Sequence, residues 1–135
     1  MRSNRNQKSS SVERSSFDAT ALIPEPGSSW RIGVRDPRAT DRVACILESP
    51  GAVATSGCYE RGSHVIDPKT GRPGTRCESA TVTGPELWLA DALATGLLVA
   101  GEAGLALVEA VEGYEGCVIS KGGSVAMTRS LPIAV

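Results

Sequence analysis

The stretch T-G-P-E-L-W-L-A-D-A-L-A-T-G-L-L-V-A-G, residues 83–101, decides the fold class of this chain. Thr83 and Glu86 have the spacing of a capping box, which predicts that a helix begins there. Gly101 follows the last apolar residue and is a typical helix terminator. Between these ends the apolar residues keep helical spacing, which favours an amphipathic helix; they are Leu87, Ala90, Ala94, Leu97 and Leu98.

Shorter segments on both sides of this helix have strand character. A second short helix is predicted over residues 102–111, so the helices form a pair. Alternating or continuous apolar runs predict strands at 30–35, 43–47, 52–54 and 79–83, and a hairpin at 117–128 that turns at 121–123. The run at 43–47 is apolar throughout and suits a buried strand. We therefore predict an α+β fold, in which an antiparallel or mixed sheet is flanked by a helical pair.

Two parts of the chain are predicted to lack regular structure. Residues 1–29 begin with a tract rich in Ser, Arg and Asn and end in a Pro- and Gly-containing linker. Such a composition cannot bury enough apolar surface to offset chain entropy, so we expect a disordered tail here and a folded domain over residues 30–135. Residues 55–75 are polar and rich in Gly, which predicts a long loop.

Composition excludes several classes of function. The net charge of -1 and the aromatic content of 4% give no basic, aromatic surface for nucleic acid. No apolar run reaches the roughly 20 residues of a transmembrane segment, and no signal peptide is present, so the chain as written is expected in the cytoplasm. The four cysteines contain no C-x-x-C pair. They permit two disulfides, although buried thiols in a reducing compartment are the simpler interpretation.

Two polar residues interrupt the predicted helix on one face. Asp91 and Thr95 are four residues apart, so their oxygens point the same way. A carboxylate and a hydroxyl at this spacing form a partial shell for a hard cation such as Mg²⁺. The alternative is the solvated edge of an amphipathic helix, but Trp88 lies on the same stripe and is unusual on a solvated face.

Other candidate residues lie before the helix. His64 is the only histidine, and histidine exchanges protons near neutral pH without special tuning. Thr55 and Ser56 end a predicted strand, where hydroxyls and free N–H groups can receive phosphate oxygens. Each feature alone is also compatible with an ordinary structural residue. Neither a Walker loop nor a G-x-G-x-x-G motif is present.

Four blocks, taken in order, resemble the C-terminal region of the FAD:protein FMN transferases, the ApbE family. They are W-R-I-G-V-R-D-P (30–37), A-V-A-T-S-G-C-Y-E-R (52–61), H-V-I-D-P-K-T-G-R-P (64–73) and A-D-A-L-A-T-G-L-L-V-A-G-E-A-G-L (90–105). The resemblance runs from Trp30 to about Thr128. It implies the C-terminal portion of a T-fold-like flavin transferase domain.

The resemblance also implies an activity and its residues. The enzymes transfer FMN from FAD to a threonine or serine of a target protein and release AMP. Mg²⁺ and FAD are then the expected cofactor and substrate, with the acceptor protein as partner. The implied roles are metal ligation by Asp91 and Thr95, assistance to the attacking hydroxyl by His64, and FAD contacts by Val65, Thr55 and Ser56.

The chain departs from the family in two respects. Cys58 stands where an acidic residue is usual, and the upstream half of the family domain has no counterpart in residues 1–29. We therefore expect either a separately encoded N-terminal half as a partner or self-association of the chain. We also expect uncovered apolar surface on strand 30–35 and on the long helix. The alternatives to transfer are a truncated, non-catalytic flavin- and metal-binding remnant, or an FAD pyrophosphatase that hydrolyses FAD to FMN and AMP. Full-length relatives can be exported, unlike the chain as written.

Overall fold

A six-stranded antiparallel sheet forms the centre of the fold, as seen in a computed structural model of the chain. The structure describes residues 11–14, 19–23, 27–57, 66–69, 71–73 and 77–134. Along these ranges the elements are β1 (Ser11–Arg14), β2 (Ala19–Ile23), β3 (Trp30–Asp36), β4 (Ala39–Ser49), β5 (Ala52–Gly57), β6 (Ile66–Asp67), β7 (Arg72–Pro73), β8 (Ser79–Gly84), α1 (Leu87–Ala100), α2 (Leu105–Ala110), β9 (Glu115–Ile119) and β10 (Val125–Met127). A 3-10 turn, Gly101–Gly104, joins the two helices.

The strand order in the central sheet is β1-β2-β5-β8-β9-β10, and each neighbouring pair is antiparallel. Strands β3 and β4 form a separate hairpin, while β6 and β7 pair in a short ribbon. An antiparallel sheet with a helical pair confirms the α+β class predicted from the sequence.

One face of the central sheet is covered by α1. The helix packs most closely against β5 and β8. Its buried positions include two alanines, Ala90 and Ala94, whose small side chains let the helix approach the strands. The sheet side of this core consists of Ala54, Ala80, Val82 and Val118, joined by the helix residues Leu97 and Leu98.

The opposite face of the sheet carries the β3–β4 hairpin. Val34 and Leu47 of the hairpin pack with Cys117 and Ile119 of β9 in a second core cluster. Successive residues of a strand point to opposite faces, so Cys117 and Val118 belong to different cores. The sheet is therefore enclosed between α1 and the hairpin, which explains why β5 and β8 are buried along nearly their whole length.

A buried carboxylate stabilises the turn of the hairpin. Asp36 accepts a hydrogen bond from the backbone N–H of Arg38 at 3.0 Å and one from Arg42 Nη2 at 3.2 Å. The Arg38 N–H and the two guanidinium groups hold the pKa of Asp36 below its ordinary value, against the effect of desolvation. Arg38 also donates from Nη1 to the carbonyl oxygen of Gly122 at 3.3 Å. This contact connects the hairpin with the β9–β10 turn.

The predicted start of the long helix is wrong, whereas its predicted end is confirmed. Thr83 belongs to β8, and its hydroxyl hydrogen-bonds with Ser49 instead of capping the helix. The N-cap is Glu86, which makes no side-chain cap hydrogen bond. Its backbone N–H donates to the hydroxyl of buried Tyr114 at 2.9 Å, so a distant residue holds the helix start. Gly101 ends the helix with a φ of 74°, which favours glycine.

Strand β4 is longer and more exposed than expected. It spans Ala39–Ser49, and Val43 and Ile46 are 53% and 38% exposed. A strand in a two-stranded hairpin has only one face against the core, so the other face of an apolar run stays in solvent. The expected exposure of β3 is also wrong, since Val34 is buried and the outward residues include Arg31 and Arg35.

Structure also occurs where the sequence predicted loops. Residues 55–57 complete β5, because their backbone pairs with β8, and Gly57 lies opposite Ser79. Within the same predicted loop, β6 pairs with β7. Within the expected disordered tail, β1 and β2 add to the open edge of β5. Their short alternating sequences S-V-E-R and A-T-A-L-I are compatible with edge strands that gain their pairing from the sheet.

By length and composition, the helical stretch Leu87–Ala110 is apolar enough to cross a membrane, with a mean hydropathy of 1.5. In this fold its first part packs on the sheet, and Ala90, Ala94, Leu97 and Leu98 are buried there. The expected uncovered face of the long helix is thus covered by the chain's own sheet. Trp88 and Leu107 are exceptions, being 67% and 65% exposed.

Candidate functional site

The two polar residues of α1 are partly shielded from solvent. Asp91 and Thr95 are both half-buried. The Oδ1 atom of Asp91 is buried, so the carboxylate is not directed wholly into bulk solvent. The spacing of four residues places both side chains on one helix face, as the sequence predicted. Thr95 lies where this face meets β5.

Ser56 of β5 joins this pair. Its Oγ lies 3.2 Å from Thr95 Oγ1, and Ser56 is 0% exposed. Thr95 Oγ1 donates to the backbone carbonyl oxygen of Asp91 at 3.1 Å. A threonine hydroxyl has one hydrogen, so Ser56 must be the donor in the contact with Thr95. The second lone pair of Thr95 Oγ1 is then left as an acceptor site. We call Asp91, Thr95 and Ser56 the oxygen cluster.

The oxygen cluster supplies hard ligands. Carboxylate and hydroxyl oxygens are the protein donors that suit Mg²⁺. Across the described ranges no group of three or more His, Cys, Asp and Glu side chains is placed to hold a metal ion. Asp91 and Thr95 would be a partial set of ligands for Mg²⁺, a cation that usually binds through one or two carboxylates together with water and substrate phosphates.

Thr55 lies on the other face of β5. Its hydroxyl hydrogen-bonds with that of Thr81, the residue opposite it on β8, at 2.9 Å. Since adjacent strand residues alternate between faces, Thr55 points away from the oxygen cluster while Ser56 points toward it. The structure therefore brings Ser56 to Thr95, which lies one helical turn after Asp91, and it does not bring Thr55 to them.

The two remaining predicted residues, His64 and Val65, lie outside the described residues. The segment that carries them follows Gly57, the last residue of β5. Gly57 is adjacent to Ser56 in sequence, so β5 ends next to the oxygen cluster. The roles of His64 and Val65 stay predictions.

Sequence reasoning missed two features of the site region. The Ser56–Thr95 contact joins residues that are 39 positions apart, and only the packing of α1 on β5 reveals it. A pocket of about 550 Å³ was also missed; its lining includes Ser49, Thr83 and Glu115 with the rings of Pro50, Pro85 and Pro132. Four separate parts of the chain build this pocket, so no local pattern predicts it.

The pocket and the oxygen cluster are separate. The pocket borders Gly51 and Gly84, at the end of β5 where Ala52 pairs with Gly84. Ser56 is four residues farther along the strand, which corresponds to about 13 Å at the usual rise of a strand. Of the predicted site residues that the structure describes, none lines the pocket.

Comparisons with known proteins identify relatives. The model of the ApbE family matches residues 12–118. An FAD:protein FMN transferase of Vibrio cholerae is 44% identical over 96 residues, which cover 62% of this chain and 29% of that protein. A second, from Rhodobacter capsulatus, is 43% identical over 82 residues, covering 54% of this chain and 16% of that protein. The family match begins at residue 12, which corrects the expectation that residues 1–29 have no counterpart in the family.

A solved structure gives the same result for the fold. The crystal structure of the ApbE protein from Thermotoga maritima aligns with a TM-score of 0.69 at 30% identity, covering 90% of this chain and 43% of that chain. The chain thus spans less than half of the solved relative and less than a third of the curated relatives named above.

Proposed function

Because the chain belongs to the ApbE family, we propose that it carries the metal-binding part of an FAD:protein FMN transferase site. The reaction transfers FMN from FAD to a threonine or serine of a target protein and releases AMP. The observation that supports this function most is the oxygen cluster, in which buried Ser56 orients the hydroxyl of Thr95 beside Asp91. The cluster lies inside the part of the chain that matches the family.

Asp91 and Thr95 are the proposed magnesium ligands. The buried Oδ1 of Asp91 and the remaining acceptor lone pair of Thr95 Oγ1 fit a hard cation. Mg²⁺, when bound, would neutralise negative charge on the FAD pyrophosphate. Ser56 acts through Thr95: its hydroxyl donates to Thr95 Oγ1 and fixes the direction of the free lone pair. A role for Ser56 beside FAD is thus supported better than one for Thr55, which faces the opposite side of the sheet.

His64 is the proposed general base, and Val65 the proposed flavin contact beside it. In the transfer, the hydroxyl oxygen of the acceptor attacks the FMN-side phosphorus of FAD. The bond from that phosphorus to the bridging oxygen breaks, and AMP leaves. The hydroxyl proton passes to His64. The role of His64 rests on the family resemblance and on its position in the chain, seven residues after the end of β5.

A binding module without transfer activity is the second candidate. The oxygen cluster favours it, because these described residues suit metal binding by themselves. Such a module would bind Mg²⁺ and FAD through the oxygen cluster without completing the reaction.

The remainder of a family domain, encoded separately, or a second copy of the chain is the proposed partner. Exposed apolar side chains on several elements support this proposal, because burying them against another chain would remove apolar surface from water. They are Val43 and Ile46 on β4, Trp88 on α1, Leu107 on α2, and Val125 and Met127 on the edge strand β10. We therefore expect self-association of the isolated chain, which sedimentation velocity would measure.

The experiment that tests the function is incubation of the chain with FAD, Mg²⁺ and an acceptor protein, followed by in-gel flavin fluorescence. We expect a fluorescent acceptor band that depends on Mg²⁺ and is lost in Asp91→Asn. Asp41→Asn is the matched control, because Asp41 is exposed on β4. His64→Ala should lower transfer by roughly 10²–10⁴-fold, the usual contribution of a general base.

The products separate the alternatives. Release of AMP and FMN without labelled acceptor would indicate an FAD pyrophosphatase. Mg²⁺-dependent FAD binding without either product would indicate the binding module. Absence of any Mg²⁺-dependent interaction with FAD, in a chain that is folded, would contradict both the transferase and the module.

A further inference from the structure

Two cysteines lie in the core between the hairpin and the central sheet. Cys45 lies on β4 and Cys117 on β9, and Cys45 packs against the core cluster that contains Cys117. The two residues are 72 positions apart in sequence. Neither forms a disulfide in the structure. The fold thus places both thiols at one interface between two sheets.

The two thiols differ in their access to solvent. Cys45 is half-buried, whereas Cys117 is 1% exposed. A dissolved reagent can therefore reach Cys45 first, and Cys117 lies behind it. An accessible thiol with a second, buried thiol in the same core cluster is the arrangement expected of a redox-sensitive cysteine pair.

We propose that Cys45 is a site of thiol modification by small-molecule disulfides such as oxidised glutathione, and that Cys117 resolves the adduct into a Cys45–Cys117 disulfide. In the first step the Cys45 sulfur attacks one sulfur of the reagent, and a glutathione thiolate leaves. In the second step the Cys117 sulfur attacks the Cys45 sulfur of the mixed disulfide, and the second glutathione leaves. The protein loses two electrons and two protons, which end on two molecules of reduced glutathione. The product links β4 to β9 covalently.

The electrostatics of the pair support the order of these steps. The Cys117 thiol lowers the pKa of Cys45 to about 7, whereas the pKa of Cys117 is raised by Cys45 and by burial. Cys45 is therefore about half thiolate at pH 7 and is the nucleophile of the pair. An ordinary thiol of pKa 9.0 has a much smaller thiolate fraction at pH 7, although its thiolate is the stronger nucleophile. The net result is that Cys45 should attack a disulfide roughly five to eight times faster than such a thiol.

Cys77 provides a matched control. It is 1% exposed, and its thiol donates to the carbonyl oxygen of Leu98 at 3.4 Å, on the helix side of the sheet. Cys77 belongs to the core under α1, whereas Cys45 and Cys117 belong to the core under the hairpin. Replacing Cys77 should consequently leave the proposed reaction unchanged.

The test is to incubate the reduced full chain with oxidised glutathione without oxygen, alkylate the remaining thiols, and map the linked peptides by mass spectrometry. We expect a Cys45–Cys117 disulfide and alkylation of the other two of the four cysteines. Cys117→Ser should stop at a stable glutathione adduct on Cys45, Cys45→Ser should form no Cys117 linkage, and Cys77→Ser should react as the wild type does.

Several outcomes would overturn the proposal. One is a predominant linkage through Cys58, and another is the absence of any linkage in the folded wild-type chain. A third is an equal yield of adduct on Cys45 and Cys77 in Cys117→Ser. The peptide map of the wild-type chain requires no variant, so a substitution that unfolds the protein does not decide the result. Circular dichroism of each variant identifies such cases.

Discussion

Replacing Thr95 by valine removes the hydroxyl that joins α1 to β5 and nearly preserves the size of the side chain. Ser56, which is 0% exposed, then loses its partner at 3.2 Å. An unsatisfied buried hydroxyl costs roughly 1–3 kcal/mol, and valine and threonine differ little in helix propensity. Thr95→Val should therefore lower the free energy of unfolding by about 1–3 kcal/mol, with a fall in Tm of roughly 4 °C for each kcal/mol in a chain of this size.

The assay is urea denaturation followed by circular dichroism, at a concentration where sedimentation shows one species. In a Ser56→Ala background no hydroxyl is orphaned, so Thr95→Val should cost less than half as much there. Thr95→Ser retains the hydroxyl and should keep the response to Mg²⁺. Equal destabilisation by Thr95→Val with and without Ser56 would refute the reasoning, because the contact would then carry no coupling energy.

Two further predictions concern the framework around the site. Gly84→Ala should prevent stable folding, since a Cβ there would lie 2.1 Å from Cδ2 of the Tyr114 ring. In Gly96→Ala on α1, the new Cβ meets nothing within 4 Å, so this variant should be more stable than the wild type by roughly 1 kcal/mol. Thermal unfolding followed by circular dichroism compares the two variants. The pKa of Asp36 is lower in the folded state than in the unfolded state, so its carboxylate stabilises the fold above the unfolded pKa, and this stabilisation is lost as pH falls through the folded pKa. Asp36→Asn should therefore destabilise the chain at pH 7. It should also flatten the pH dependence of the free energy of unfolding below about pH 4. An unchanged pH dependence in Asp36→Asn would contradict the second prediction.

Much of the fold follows from local patterns. The sequence predicts the helix end at Gly101 and the strand at residues 30–35, because each depends on residues that are neighbours in the sequence. The helix start cannot be predicted in this way, since its backbone is hydrogen-bonded to Tyr114, 28 residues away. Thr83 hydrogen-bonds with Ser49 instead. A capping-box pattern has no effect when its first residue is part of a strand.

The candidate site shows the same limit. The i, i+4 relation of Asp91 and Thr95 is a property of the helix, so the sequence predicts it. Ser56 joins them, whereas Thr55 is on the other face of β5. This difference is set by which face of β5 meets α1, and a one-residue shift of the strand register would exchange the two residues. The pairing of Cys45 with Cys117 likewise requires the hairpin to be placed on the sheet.

The response of FAD binding to Mg²⁺ tests the central claim most directly. Flavin fluorescence would be titrated with the wild-type chain, Asp91→Asn and the control Asp41→Asn, each with and without Mg²⁺. If Asp91 and Thr95 hold the metal beside the pyrophosphate, Mg²⁺ should tighten FAD binding by at least about tenfold, equivalent to about 1.4 kcal/mol, in the wild type and in Asp41→Asn but not in Asp91→Asn. Equal FAD affinity with and without Mg²⁺ in the folded wild type, or an undiminished effect of Mg²⁺ in Asp91→Asn, would contradict the account.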